Sequence, residues 1–161
     1  MNAAATRIVP VLGVAGLVTA LIGTFLPWLR SGQVQRNSYA SFGLLRRLIG
    51  FHGIGEVLIR AWPLLGVACA LVVLVAVAGL LRPAALLALL VGAWSAAIAG
   101  GALAHDPVGN VRIDTLGPIV TVVGATTTIT AAILTLISQV SHQTGGTRRD
   151  PASGRAERSE R

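Results

Sequence analysis

Four long apolar stretches, none containing Asp, Glu, Lys, Arg or His, constrain this chain more than any other feature. They run over residues 8–29, 62–81, 83–104 and 116–138. A bilayer core of ~30 Å is crossed by about 20 apolar residues in a helix, and each stretch meets that length. Their apolar residues lie on all sides rather than along one stripe, as suits helices surrounded by lipid.

Composition excludes the alternatives. Of 161 residues, 53% are hydrophobic and 12% charged, and the mean hydropathy is +0.74. Soluble domains carry roughly 25% charged residues, so this chain lacks the polar groups to cover a water-exposed surface. The same apolar content is too high for disorder. Cys69 is the single cysteine, which removes intrachain disulfides and CxxC-type metal sites. The expected fold is all-α, an integral-membrane four-helix bundle.

The expected organisation is a cytoplasmic N-terminus over residues 1–7, a four-span domain over 8–138, and a disordered basic tail over 139–161. The first stretch exceeds the apolar core of a usual signal peptide, and no Ala-x-Ala site follows it. It reads as a retained helix closed by Pro27-Trp28-Leu29-Arg30. Only Arg82 separates the second and third stretches, which forces an antiparallel hairpin, with Pro83 in the first turn of the third helix.

An even number of spans puts both termini on one side. With that side inside, the inner arginines are Arg7, Arg82, Arg148, Arg149, Arg155, Arg158 and Arg161. Those outside are Arg30, Arg36, Arg46, Arg47, Arg60 and Arg112, so charge alone decides little. The long loop over residues 30–61 suits the outer side better than a one-residue turn does, which favours cytoplasmic termini.

Small residues recur every four positions in the third span: Ala84, Ala88, Gly92, Ala96, Gly100 and Ala104. Such a row lets helix backbones approach closely in lipid, either within this bundle or against a second copy or a membrane partner. Gly16, Ala20 and Thr24 share the spacing, as do Gly117, Thr121 and Ala125, and Gly124, Thr128 and Ala132. The threonines of the fourth span could line a polar path or bond back to their own helix.

In the outer loop, Ser38 suits an N-cap, and Phe42, Leu45, Leu48 and Ile49 follow at helical spacing with Arg46 and Arg47 on the other face. This predicts a short amphipathic helix in the headgroup layer, ending near Gly50. Trp28 and Trp62, closing one span and opening the next, read as interfacial belt aromatics.

Leu26-Pro27-Trp28, then Arg36-Asn37-Ser38-Tyr39, then a Leu-rich stretch before Trp62-Pro63, resembles a group of small four-span membrane proteins of actinobacteria. The likeness covers residues 8–138, and the absence of lysine agrees with a GC-rich source. It implies a plasma-membrane protein and contributes no reaction or ligand.

No phosphate-binding glycine loop, HExxH or GxSxG is present. His52 shares its loop with Glu56 and His105 adjoins Asp106, but solvated loop pairs account for both. His142 stands alone in the tail. The arginines neither cluster with aromatics nor form one face, so nucleic acid is not expected as a partner. No catalytic residue, cofactor or metal is expected. The residues point to a structural or interaction subunit contacting lipid and itself or a membrane partner. The alternative is a small transporter or channel subunit, which the absence of ionisable groups inside the spans disfavours.

Overall fold

The computed structural model describes residues 3–31, 34–40, 54–104 and 111–145. The chain is mostly helical. Helix α1 spans Ala3–Phe25, and strands β1 (Pro27–Ser31) and β2 (Val34–Asn37) follow it. Helix α2 (Ile54–Ala61) leads through a 3-10 turn at Trp62–Leu64 into α3 (Leu65–Val77). Then come α4 (Leu81–Leu103), strand β3 (Val111–Ile113) and α5 (Leu116–Gly145). Segments of α1, α4 and α5 are long and apolar enough to cross a membrane, while Trp62–Val77 is a shorter apolar helical stretch.

The centre of the bundle is the antiparallel contact of α1 with α5. A Cβ added at Gly16 would lie 2.8 Å from both the Gly124 carbonyl oxygen and the Thr128 amide nitrogen. One added at Gly124 would meet the Ala20 amide and the Gly16 carbonyl. Further along, Gly23 faces Thr121, and Gly117 lies under the Trp28 ring. Each pair, Gly16 with Gly23 and Gly117 with Gly124, is seven residues apart. That spacing drifts only ~20° around a helix, so it keeps both glycines on one face. Backbone meets backbone because nothing larger than hydrogen intervenes.

Helix α4 packs antiparallel on the neighbouring face of α5. A Cβ at Gly92 would fall 2.8 Å from Ile129 Cγ1 and 3.3 Å from the Ala125 carbonyl oxygen. Arg82 Nε donates to Gln139 Oε1 at 2.9 Å at the far end of this pair. Helix α3 folds back along α4 and touches α1 lightly, with Gly66 near Leu21.

The structure moves several expected boundaries. Helix α1 stops at Phe25, four residues short of 29, because Pro27 has no N–H to donate to the Gly23 carbonyl and disfavours helical geometry at Leu26. The hairpin turn lies at residues 78–80 rather than at Arg82. Gly79 takes φ +81° and its amide bonds the Ala76 carbonyl at 3.0 Å, while the Leu80 amide reaches the Val75 carbonyl at 3.2 Å. This is a Schellman ending, and Arg82 and Pro83 fall inside the first turn of α4. Helix α5 continues to Gly145, into the segment expected to be disordered.

A small antiparallel sheet in the order β2-β1-β3 joins the two loops at the end opposite the termini. Leu29 is opposite Arg36 on one side and Ile113 on the other. Local hydropathy carries no signal for the β1–β3 pairing, because its partners are about 80 positions apart in the sequence. The expected amphipathic helix with Phe42, Leu45, Arg46 and Arg47 lies outside the described residues.

Gly79 has no atom within 4 Å of an added Cβ, so its substitution tests backbone conformation alone. Gly79→Ala should cost ~1–2 kcal/mol, the penalty of a left-handed non-glycine residue. Gly100→Ala, with equally open space but helical geometry, should be neutral or stabilising. Thermal unfolding of both variants in detergent checks the contrast, and equal melting shifts would contradict it.

Candidate functional site

The most elaborate side-chain assembly among the described residues caps the C-terminal end of α1. The last carbonyls of any helix lack intrahelical partners, and in an apolar surrounding each must find a donor. Pro27 makes this acute by deleting the amide that would serve Gly23. Trp28 supplies the replacement: its Nε1–H donates to the Gly23 carbonyl at 2.9 Å. Ser38 Oγ donates to the Thr24 carbonyl at 2.6 Å, and Thr24 Oγ1 to the Leu21 carbonyl at 2.7 Å.

Ser38 also accepts from Trp62 Nε1 at 3.1 Å, which ties the start of α3 to the end of α1. The indoles then run across the bundle. Trp28 and Trp62 meet edge-to-face at 5.8 Å between centroids, and Trp62 and Trp94 at 5.9 Å and 87°. Such pairs add ~0.5–1.5 kcal/mol beyond area burial. Tyr39 closes the outer side, its ring 5.4 Å from Phe25 and its hydroxyl 3.3 Å from Thr24 Oγ1. Among the described residues, Trp94 Nε1 is a buried donor without an acceptor.

Trp28 and Trp62 are therefore interior. Both are buried, Trp62 completely. The expected belt position fails because their N–H groups are engaged inside the bundle, one by the interrupted end of α1 and one by Ser38. Ser38 is not the N-cap either. Asn37 Oδ1 takes that role, accepting the Ala40 amide at 3.0 Å, while the Ser38 hydroxyl turns inward.

The expected row on α4 divides. Ala84, Ala88 and Gly92 are buried, Ala96 and Gly100 are half-buried, and Ala104 is exposed. A four-residue step advances about 400° around a helix, so the row drifts ~40° per step. Ser95 and Ala99 inherit the buried track, and Ser95 Oγ donates to the Val91 carbonyl at 2.7 Å. The three shorter rows on α1 and α5, from Gly16 to Thr24, Gly117 to Ala125 and Gly124 to Ala132, are buried throughout.

The threonines of α5 bond to their own helix. Thr121, Thr127, Thr128, Thr130 and Thr135 each donate to the carbonyl four residues back, at 2.8–2.9 Å. Thr126 reaches Val122 and Val123 in the same way. Glu56 pairs with Arg60 one turn on, at the surface of α2. His52, His105 and Asp106 lie outside the described residues, and no group of three His, Cys, Asp or Glu side chains that could hold a metal occurs among those described.

No protein-family model, curated protein or solved structure matches the chain.

Ser38→Ala should separate capping from packing. It leaves the Thr24 carbonyl and the Trp62 N–H without their partner, a cost of ~1–3 kcal/mol for buried groups. Melting in detergent should fall by that equivalent, and Trp62→Phe in the Ser38→Ala background should add less than it does alone. Strict additivity would show that the two side chains do not act as a pair.

Proposed function

We propose that this chain is a four-span integral protein of the plasma membrane, with cytoplasmic termini and a non-enzymatic role as a structural or interaction subunit, packing with itself or with a membrane partner. The observation that carries the reading is inverted polarity. The α1–α5 seam is built largely of Gly, Ala and Thr, with Leu17, Leu65, Val72 and Val91 also buried in the bundle, while the outward faces are aliphatic: Leu90 is 68% exposed, Val11 67% and Val77 80%. Water would penalise that arrangement, and a hydrocarbon solvent favours it, because lipid is as apolar as the side chains facing it.

Helix α3 with its leading 3-10 turn is the short span. Its 16 residues reach about 24 Å, a mismatch that a bilayer accommodates by local thinning. Closely packed backbone seams and self-satisfied threonines favour a scaffold over a solute path, since the hydroxyls of α5 already have acceptors. The likeness to small four-span actinobacterial membrane proteins agrees with this reading.

Reporters fused after Met1 and after Arg161 should both be cytoplasmic, and one inserted near Gln33 external. The chain should resist alkaline extraction of the membrane fraction. Termini on opposite sides would refute four spans, and extraction into the supernatant would refute the membrane reading altogether. Affinity purification after crosslinking in native membrane should return a second copy or a defined membrane protein. Monomers alone would overturn the interaction role.

A further inference from the structure

The two ends of the bundle differ, and the end bearing the termini is open. There an apolar cleft of about 70 Å³ lies among α1, α3, α4 and α5. Val9 and Gly13 of α1, Val73 and Ala76 of α3, Ala85 of α4 and Thr135 of α5 line it. Thr135 offers no spare proton to a ligand, because its hydroxyl donates to the Ala131 carbonyl. Nothing in the wall selects a polar guest. A partner helix, ~10 Å across with its side chains, is too thick to enter. A volume of about 70 Å³ admits a few methylene groups, a short stretch of one hydrocarbon chain.

The charge at the mouth completes the selection. Leu81 lines the cleft and Arg82 follows it. Gln139 lies one turn beyond Thr135 on α5 and accepts the Arg82 Nε–H at 2.9 Å, which fixes the guanidinium at the cleft end. Arg82 is exposed, and among the described residues no carboxylate neutralises it. Its terminal nitrogens keep the paired donors suited to a phosphate.

We propose that this cleft seats part of one acyl chain of an anionic phospholipid, with Arg82 binding the phosphate of its headgroup. The inference rests on the membrane reading above, and it assigns one lipid a fixed seat rather than a place in the general annulus. The turn at 78–80 sets the end of α3 level with the start of α4, and Val73 and Ala76 of α3 form one wall of the cleft beside Leu81. The acyl chain lies against these apolar walls, with its headgroup toward Arg82.

The test uses the full chain, purified in detergent, stripped of lipid and titrated while intact complexes are weighed by mass spectrometry. Dioleoyl phosphatidylglycerol should give a single adduct at about tenfold lower concentration than dioleoyl phosphatidylcholine, the scale of one charge-assisted contact. Inorganic phosphate should give none, which separates a lipid site from a simple anion site. Arg82→Gln, an exposed change that leaves the packing intact, should abolish the difference between the lipids, and Arg82→Lys should keep part of it. Ala76→Phe, filling the cleft from α3, should weaken both lipids. Equal binding of the two lipids by the unaltered chain, or unchanged selectivity in Arg82→Gln, overturns the proposal. A chain that fails to fractionate with membranes defeats the underlying reading, whereas a membrane-embedded chain without lipid selectivity defeats this site alone.

Discussion

The rest of the structure depends on the direct backbone contact between α1 and α5. Around Gly16, Ala20 and Gly124, an added Cβ would meet main-chain atoms of the opposite helix, so the separation is set by peptide groups rather than by side chains. In water such a seam would waste hydrophobic burial. In lipid, where large side chains gain little by leaving the solvent, dispersion between close surfaces is the main source of cohesion, and glycine maximises it. Once these two helices are fixed, α5 presents a second face, Ala125 and Ile129, to Gly92 of α4. Helix α3 then comes in as the second arm of the α3–α4 hairpin. Its weak contact with α1 is a consequence of that order.

The cap follows from the same constraint. Close packing of α1 on α5 brings Trp28 onto Gly117, where an added Cβ would collide with the ring. Pro27 has already removed one helical bond, so the indole N–H lands beside the carbonyl that lost its donor. One proline thus stops a helix, starts a strand and fixes a tryptophan. Ser38 and Trp62 extend the repair across the bundle, and the sheet holds the segments that carry Trp28 and Ser38, with the Asp114 amide bonded to the Trp28 carbonyl at 3.0 Å.

The apolar helices were legible in the sequence because hydropathy and length alone determine them. The rows on α1 and α5 were legible too, as small residues at fixed spacing. What the pattern concealed was which row mattered. The six-position row on α4 was the longest, yet a strict four-residue repeat drifts off any straight contact, and only its first half is buried. The glycines seven residues apart, which stay in register, carry the tighter seam. The tryptophans misled for a different reason. Their position beside span ends is that of belt residues, but the N–H needs an acceptor, and the acceptor here is internal. That depends on Pro27 and Ser38 meeting in space, which no local window contains. The hairpin turn was misplaced because Arg82 is the obvious polar interruption, whereas Gly79 stops the helix by its backbone freedom without interrupting the apolar run.

The asymmetry of the bundle has one origin. At the capped end, each of α1, α3, α4 and α5 contributes to the aromatic and hydrogen-bonded assembly, and Trp62 is fully buried there. At the other end, α3 turns at Ala78 while α1 begins at Ala3 and α5 runs on to Gly145. Helices of unequal length cannot close both ends at once. The three-residue turn at 78–80 levels the end of α3 with the start of α4, so the shortfall of α3 lies at the cap, where Trp62 meets Trp94 nine residues before α4 ends at Leu103. The positive-φ glycine makes the tight turn that puts Arg82 at the hairpin end, where Gln139 holds its guanidinium one residue from the Leu81 wall of the cleft.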